Sequence, residues 1–280
     1  MSRVYDALRQ SEIDEGGTSI LWDPDTLLTP PSPAVTVIDR SAADLGWDEI
    51  KSLSPTVRED SRVVTLTETN GLGAEKFRLL RSRLRNMREQ RELQKLVITS
   101  AVPDEGKTLV SMNLAVCLSK HTDDKVLLLE GDLRKPTIGE HLGMRSLPGI
   151  GEWFPTEAPV NSFIYRFDGL PLWILPAGSA PEDPVNILQS PRFLELYKQV
   201  SACFDWIIID APPLVPMADV SFWSRHADGL LLVVREGHTP KTVLKKGLET
   251  LDNPNVVGVV FNNAQELESA YYERYNYQLK

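Results

Sequence analysis

The chain has 280 residues, of which 42% are hydrophobic and 25% charged, with a formal net charge of -9. This is the composition of a globular protein rather than a fibrous or fully disordered one. No stretch approaches the eighteen consecutive apolar residues of a membrane span, and residues 1–10 carry charges where a signal peptide needs an apolar core. We therefore expect a cytoplasmic protein.

Residues 1–60 are predicted to form an acidic leader without a fixed structure. They contain twelve acidic residues against five basic ones, and the run at 28–33 holds three prolines. A segment of this composition buries too little apolar surface to offset the entropy lost on ordering. The exception is residues 1–12, where Val4, Tyr5 and Leu8 would line one face of a short docking helix.

A basic amphipathic helix is predicted next, over residues 74–92. Its apolar residues recur at spacings of three and four, so the arginine-rich side should face outward. Residues 75–95 hold eight basic against three acidic residues. They lack the interleaved aromatic residues that stack on bases, so we do not expect nucleic acid as a partner.

Six short, continuously apolar runs follow, separated by helical stretches, at residues 96–99, 126–129, 172–175, 206–209, 230–234 and 256–261. Continuous rather than alternating apolar runs are typical of strands buried on both faces of a parallel sheet. We therefore expect an α/β domain over residues 61–265, with a mostly parallel central sheet flanked by helices. Residues 266–280 would form a C-terminal tail. Ligands bind at the carboxyl ends of the strands in such a domain.

The first of these runs leads into a candidate phosphate-binding loop that ends in Gly106-Lys107-Thr108. The glycine permits close approach of the backbone, the ammonium can bind the β- and γ-phosphates, and the hydroxyl can bind Mg²⁺. Ala101 stands where the general P-loop pattern has its first glycine. Gly-Lys-Thr alone is a frequent chance match, but here a strand precedes it and a helix follows. The predicted nucleotide-binding residues are Asp104, Glu105, Gly106, Lys107, Thr108 and Leu109.

Acidic residues follow two of the other predicted strands. Glu130 and Asp132 come after the run at 126–129, and Asp210 ends the run at 206–209. Carboxylates at the carboxyl ends of neighbouring strands should converge beside the loop, where a phosphate-bound cation needs oxygen ligands. The alternative is that they cap helices or turns. We predict Lys107, Glu130, Asp132 and Asp210 as catalytic residues, and Thr108, Asp132 and Asp210 as magnesium ligands.

With these motifs the sequence resembles the bacterial tyrosine kinases of capsule and exopolysaccharide assembly, over about residues 74–280. The resemblance rests on the phosphate loop at 100–108, Gly-Asp-Leu-Arg-Lys-Pro at 131–136 as Walker A′, and Ile-Asp-Ala-Pro-Pro at 209–213 as Walker B. Leu-Pro-Ala-Gly at 175–178 matches a further family segment. The related MinD and ParA ATPases carry a signature lysine where this chain has Val102. The resemblance implies a P-loop NTPase fold of the MinD/ParA type that binds ATP and Mg²⁺.

The resemblance also implies individual roles near the phosphates. The family assigns the catalytic base to the first acid of Walker A′, normally Asp, and that position is Glu130 here. The longer side chain puts its reach and metal geometry in question. After the last strand, Asn262 would contact the adenine, with Asn263 as second choice and loop capping as the alternative.

Two further segments match the family. The motif E-x-x-R-x-x-R comprises Glu75, Arg78 and Arg81, and implies contacts in a ring-like homo-oligomer; an ordinary solvated helix face is the alternative. The tail holds Tyr271, Tyr272, Tyr275 and Tyr277, which are the implied phosphoacceptors, although a helix docking its aromatic residues on the core is the alternative. A tail of limited reach would be phosphorylated by a neighbouring subunit.

These features predict an ATP-dependent tyrosine autokinase that regulates exopolysaccharide polymerisation and export. The resemblance implies a transmembrane chain-length (co-polymerase) protein as activator, which would hold the chain at the inner membrane, and a cognate tyrosine phosphatase. The alternative functions are a MinD/ParA-like ATPase switch and a scaffold without kinase activity. The missing lysine and the tyrosine-rich tail argue against the switch. Glu130, in place of the usual Asp, leaves the scaffold function as an alternative.

Overall fold

The computed structural model describes residues 50–55, 61–120, 123–144, 147–215, 219–252 and 254–263. Most of the predicted leader lies outside these residues. The predicted phosphoacceptors, Tyr271, Tyr272, Tyr275 and Tyr277, lie outside them as well. The structures predicted for those segments therefore stay predictions.

Within the described residues, eight strands form one sheet in the order β1-β4-β5-β3-β6-β2-β7-β8. All neighbours in this sheet are parallel except β4 and β5, which are antiparallel. The strands are β1 (Lys51–Leu53), β2 (Lys95–Ser100), β3 (Val126–Glu130), β4 (Tyr165–Phe167), β5 (Leu172–Leu175), β6 (Trp206–Asp210), β7 (Gly229–Arg235) and β8 (Val256–Asn262). The prediction of a mostly parallel sheet is confirmed.

All six predicted strands are present, and the differences lie at the margins of the sheet. β1 and β4, with three residues each, are too short to give a pattern in the sequence. β1 lies within the predicted leader, so ordered structure begins before residue 61. β8 is apolar but is not buried on both faces as expected. It is an edge strand, and Val259 and Phe261 are exposed.

Helices cover both faces of the sheet. They are α1 (Val64–Thr67), α2 (Leu72–Gln90), α3 (Lys107–Ser119), α4 (Ile138–His141), α5 (Ile150–Trp153), α6 (Pro184–Gln189), α7 (Pro191–Cys203), α8 (Asp219–His226) and α9 (Lys241–Glu249), with a 3-10 turn at Val160–Phe163. The predicted basic helix corresponds to α2. In the part of the chain that the structure describes, none of the helices is long and apolar enough to cross a membrane.

The central strands contribute side chains to two separate hydrophobic cores, one on each face of the sheet. Successive residues of a strand point to opposite sides, so Ile207 and Ile209 pack in one core and Trp206 and Ile208 in the other. The first core includes α7 and α8, and the second includes α2 and α3. This burial on both faces explains the continuous apolar runs of the central strands.

The strand order brings the carboxyl ends of β3, β6 and β2 together. β6 lies between the other two, and Asp210 is in register with Glu130 on one side and with Ile98 on the other. The backbone continues this pairing beyond the strands, because the N–H of Gly131 donates to the carbonyl of Asp210 over 2.8 Å. The predicted phosphate loop and its carboxylates therefore share one edge of the sheet.

Gly131 is the position at which α8 packs against the end of β3. The indole Nε1 of Trp223 donates to the Gly131 carbonyl over 3.2 Å, and a Cβ at Gly131 would lie 2.8 Å from the buried Trp223 ring. This distance is shorter than any ordinary van der Waals contact, and the ring is packed on all sides. Only glycine fits at residue 131 without moving α8.

We predict that Gly131→Ala lowers the free energy of unfolding by about 1–3 kcal/mol, the usual cost of overpacking a core. The measurement is chemical unfolding at neutral pH. Gly258→Ala is the control, because its Cβ would meet Leu231 at an ordinary 3.5 Å. Equal stabilities for the two variants would contradict the proposed close packing of Trp223.

Candidate functional site

The phosphate loop joins β2 to α3 through a sharply bent backbone. Gly106 has φ +90°, and Asp104, which is not a glycine, also has a positive φ of 63°. These conformations direct the chain straight into α3, which begins at Lys107. The N–H groups of the first helical turn have no carbonyl acceptor within the helix, and they form an anion-binding site at the positive end of the helix dipole.

Glu105 ties this loop to the rest of the sheet. Its side chain is fully buried and accepts hydrogen bonds from the N–H of Val102 over 2.9 Å, from the N–H of Arg235 over 3.2 Å, and from the Thr239 hydroxyl. Glu105 was predicted among the nucleotide-binding residues. Its carboxylate instead fixes the loop to the end of β7, which leaves only its backbone for a ligand.

Lys107 lies at the centre of the acidic cluster. Its Nζ is 2.8 Å from Oδ2 of Asp132, and both residues are buried. Burial alone would lower the pKa of Lys107, but the combined attraction of Asp210, Asp132 and Glu130 outweighs it and raises the pKa. Lys107 is therefore an ammonium held among carboxylates at the mouth of the phosphate loop.

Asp210 is buried beside the start of α3. It accepts hydrogen bonds from the hydroxyls of Ser111, over 3.2 Å, and Thr108. Burial raises its pKa, while Lys107 and the hydroxyl donors oppose that shift. A carboxylate next to a threonine hydroxyl supplies the oxygen ligands that Mg²⁺ prefers. Ser111 was not predicted, because a serine within a helix has no signal of its own.

Glu130 makes contacts unlike those expected of a proton acceptor. Its Oε1 accepts from the N–H groups of Thr137 over 2.6 Å and Ile138 over 2.7 Å, and its Oε2 accepts from the N–H of Ala177 over 2.9 Å. The side chain is only 2% exposed. Burial raises its pKa, and the three backbone donors oppose the shift. This carboxylate caps α4 and reaches across to the segment after β5.

A salt bridge that was not predicted anchors the Walker A′ segment to α8. Arg134 donates to both carboxylate oxygens of Asp219, over 2.7 and 3.2 Å, and Asp219 is buried. An acidic residue at the first position of α8 is visible in the sequence. Its pairing with an arginine 85 residues earlier is not, because it depends on the sheet order.

The predicted adenine contact, Asn262, lies directly over the phosphate loop. Its Nδ2 donates to the carbonyl of Glu105 over 2.8 Å, and its Oδ1 accepts from the N–H of Asn263 over 3.0 Å. A Cβ at Gly106 would collide with this amide. The structure therefore brings Asn262 to the nucleotide site but engages both ends of its amide with the backbone. Its contact with adenine stays a prediction.

The remaining predicted residues lie near the loop or on α2. Asp104 is 81% exposed, and its Oδ1 lies 3.6 Å from Nζ of Lys135. On α2, Arg78 pairs with Glu75 on the same helix. Arg81 turns inward, where its Nη1 donates to the carbonyl of Cys117 over 3.2 Å at the end of α3. The motif therefore has contacts within the subunit, whatever it does between subunits.

We predict that Lys107→Met abolishes nucleotide-dependent turnover, because the lysine supplies the positive charge at the phosphate site. The variant should remain folded but lose about 3 kcal/mol of stability at pH 8, since removing the ammonium leaves the buried charges of Asp132 and Asp210 without a cation that balances them. ATP turnover and chemical unfolding measure these effects. Lys135→Met is the control, because the pair with Asp104 is exposed and should contribute little.

The stability deficit of Lys107→Met should shrink as the pH falls from 8 towards 4. Burial already raises the pKa of Asp210, so this carboxylate takes up a proton at a higher pH in the folded protein than in the unfolded chain. Protonation then removes the charge that Lys107 balances. A deficit that grows on acidification, or unchanged ATP turnover by the folded variant, would contradict this account of the site.

Curated relatives match most of this chain, although no protein-family model matches it. The tyrosine-protein kinase YwqD of Bacillus subtilis is 29% identical over 220 residues, which is 78% of this chain and 92% of YwqD. The tyrosine-protein kinase wzc of Salmonella typhimurium is 29% identical over 243 residues, and the succinoglycan biosynthesis transport protein ExoP of Rhizobium meliloti is 31% identical over 208. The matches cover 82% and 72% of this chain, but only 33% of wzc and 26% of ExoP.

Solved structures agree with these relatives. The chimerical protein CapA2B2 has a TM-score of 0.69 at 26% identity, covering 77% of this chain and 96% of that structure. The kinase domain of the Escherichia coli tyrosine kinase ETK has a TM-score of 0.66 at 26% identity, over 74% and 83% of the two chains. The cell division ATPase MinD of Pyrococcus furiosus has a TM-score of 0.52 at 26% identity, over 64% and 78%. With the phosphate loop and the two Walker carboxylates at one edge of a MinD-like sheet, the chain is similar in sequence and fold to bacterial tyrosine-protein kinases.

Proposed function

We propose that this chain transfers the γ-phosphate of ATP to tyrosine, and that its own C-terminal tyrosines are among the acceptors. The observation that carries the proposal is the convergence of Lys107, Thr108, Asp132 and Asp210 at the mouth of the phosphate loop. The tyrosine-kinase names of the relatives support the choice of acceptor. We further propose that the phosphorylation regulates exopolysaccharide or capsule polymerisation and export.

The residues of the site fit Mg-ATP as substrate. The first turn of α3 offers N–H groups to the phosphates, Lys107 offers its ammonium, and the paired oxygens of Thr108 and Asp210 suit a hard cation. When bound, Mg²⁺ would neutralise part of the charge on the phosphates. The burial of the carboxylates keeps water from weakening these interactions.

A tyrosine needs help to attack a phosphate, because its unperturbed pKa is near 10 and the neutral phenol is a weak nucleophile. A carboxylate beside the γ-phosphate can accept its proton during the attack. The buried acids at this edge of the sheet provide such a group. We propose that Tyr271, Tyr272, Tyr275 and Tyr277 are the acceptors and that a neighbouring copy in a ring phosphorylates them.

We also propose a separate transmembrane co-polymerase as activator and membrane anchor. The chain spans only about a third of wzc and a quarter of ExoP. The name of ExoP describes biosynthesis and transport, which a kinase domain does not perform by itself. A membrane partner would hold this chain at the cytoplasmic face of the inner membrane, and a cognate phosphatase would reverse its phosphorylation.

The alternative is a nucleotide switch like MinD, which has the same fold. Such a protein would hydrolyse ATP without forming phosphotyrosine. Val102 in place of the MinD and ParA signature lysine favours the kinase. The experiment on the tail distinguishes the two functions.

We predict that replacing Tyr271, Tyr272, Tyr275 and Tyr277 by Phe removes autophosphorylation while ATP binding and the unfolding temperature remain unchanged. The substitution deletes only hydroxyl groups and keeps the rings. Phosphotyrosine is measured by mass spectrometry after incubation with Mg-ATP, with and without the cytoplasmic tail of the membrane partner. If the wild-type chain hydrolyses ATP but forms no phosphotyrosine under either condition, the kinase function is rejected and the nucleotide-switch function is accepted instead.

Mixing the all-Phe chain with a Lys107→Met chain tests transfer between subunits. The first keeps its active site and the second keeps its tyrosines, so phosphate should appear on the Lys107→Met chain. β8 ends beside the phosphate loop, so tether length by itself does not prevent a tail from reaching its own site. Phosphorylation of the wild-type chain with none in the mixture would show transfer within one subunit.

The ring is tested on α2. We predict that the Glu75, Arg78 and Arg81 triple alanine variant has a smaller mass than wild type by light scattering at matched concentration. Alanine at Arg83, Asn86 and Glu89, which are exposed on the same helix, is the matched control. Because Arg81 also contacts α3, both variants are first checked by thermal unfolding. Equal masses for the folded triple variant and wild type would show that these three residues do not form the proposed interface.

A further inference from the structure

Glu130 stands where the family has its proton acceptor. Its side chain, however, connects β3 to two other backbone segments, the start of α4 and the residues after β5. Thr137 and Ile138 open α4, and Ala177 follows β5 on the far side of β3. Glu130 accepts one N–H bond from each of them, over 2.6 to 2.9 Å. The carboxylate therefore holds both ends of the segment 131–137 at a fixed distance from β5.

All three donors belong to backbone that is itself fixed. Ala177 is fully buried, and its carbonyl accepts from the N–H of Gly151 over 2.8 Å. The carbonyls of Thr137 and Ile138 accept the first bonds of α4, from His141 and Leu142. Glu130 could turn towards a substrate only by leaving the buried N–H groups of Ile138 and Ala177 and the half-buried N–H of Thr137 without an acceptor, which is costly.

Asp132 has a different set of partners. Its Oδ1 accepts from the N–H of Lys135 over 3.1 Å, whereas its Oδ2 pairs with the side chain of Lys107 over 2.8 Å. Lys107 is also the group that must bind the phosphates of the nucleotide. When the ammonium turns to the phosphates, Oδ2 of Asp132 is released at the mouth of the loop.

We propose that Asp132 accepts the proton of the attacking tyrosine and that Glu130 is a positioning residue. This inference rests on the proposed kinase function. The phenolic oxygen forms a bond to the γ-phosphorus as the bond from that phosphorus to the β,γ-bridging oxygen breaks. ADP leaves with the electron pair of that bond, and the phenolic proton passes to Oδ2 of Asp132.

The length of the glutamate side chain explains the reassignment. One methylene more than aspartate lets the carboxylate of Glu130 reach the N–H groups at the start of α4 and the N–H group after β5. An acid held there cannot also meet a substrate at the loop. The carboxylate two residues further along the chain, which lies against Lys107, is left to perform the chemistry.

The test compares Glu130→Gln, Asp132→Asn and the control Glu152→Gln. Glu152 is also a carboxylate that accepts backbone N–H bonds, from Gly149 over 2.8 Å and Ser179 over 2.9 Å, but it does not contact the phosphate loop. Thermal unfolding, nucleotide affinity, and kcat and KM for tyrosine phosphorylation are measured for each, at several Mg²⁺ concentrations.

Glu130→Gln turns an amide N–H group towards a backbone N–H, so its Tm should fall by roughly 3–8 °C. Its KM for ATP should rise about 3–10-fold and its kcat should fall less than about 10-fold, because only the placement of residues 131–137 is disturbed. Asp132→Asn should also lower Tm, because Lys107 loses its 2.8 Å partner, but it should keep its nucleotide affinity and lose at least about 100-fold in kcat, the contribution of a general base. Glu152→Gln should lower Tm without changing KM for ATP.

Three results would overturn the assignment. These are a Glu130→Gln variant with wild-type Tm, a loss of more than about 100-fold in its kcat, and recovery of Asp132→Asn at high Mg²⁺, which would make Asp132 a metal ligand only. If the wild-type chain binds ATP but never forms phosphotyrosine, the kinase function fails and the proton acceptor fails with it. The positioning role of Glu130 is then still decided by Tm and nucleotide affinity.

Discussion

The burial of one ammonium among three carboxylates is the constraint on which the rest of this structure depends. Four charged groups cannot stay buried at one edge of a sheet unless each has partners. Lys107 balances Asp132 and Asp210, hydroxyls of α3 bind Asp210, and backbone N–H groups hold Glu130. Each of these partners requires a particular strand order and loop path. The fold therefore supplies protein groups that replace water around this cluster. A nucleotide with its cation would enter a site whose charges are already positioned.

The contacts around the cluster are made by side chains whose polar atoms are bonded to other protein groups. Glu105 fixes the phosphate loop to β7, Arg134 and Asp219 fix Walker A′ to α8, and Trp223 closes over Gly131. Together they connect the end of β2 to the end of β7, and the end of β3 to α8. Such fixed surroundings keep the functional groups aligned, so they need not reorganise during a reaction. Electrostatic stabilisation of a transition state is largest when the charged groups are positioned in advance. Substitutions at these positions should therefore disturb activity through geometry rather than through chemistry.

The sequence predicted the central sheet well because the central strands are buried on both faces, and that burial leaves continuous apolar runs such as 206–209. The convergence of Lys107, Asp132 and Asp210 could also be predicted, because parallel strands place their carboxyl ends at one edge. The three-residue strands β1 and β4 were missed because they are too short to show a period. The partners of Glu130, Glu105 and Arg134 could not be predicted, since they are backbone groups or residues brought close only by the sheet order. Local pattern identifies which groups reach the edge of the sheet, but not the direction in which each side chain turns.

The contact between Asn262 and the phosphate loop fixes the point at which the chain leaves the sheet. Asn263 follows directly, and eight further residues lead to Tyr271 and fourteen to Tyr277. At about 3.5 Å per residue these tethers span at most about 28 and 49 Å. If the proposed ring forms, the length of the tail limits the distance between its subunits. Under the proposed transfer, the nucleotide edge of one subunit would have to lie within about 28 Å of Asn263 of the next to reach Tyr271, and within about 49 Å to reach Tyr277.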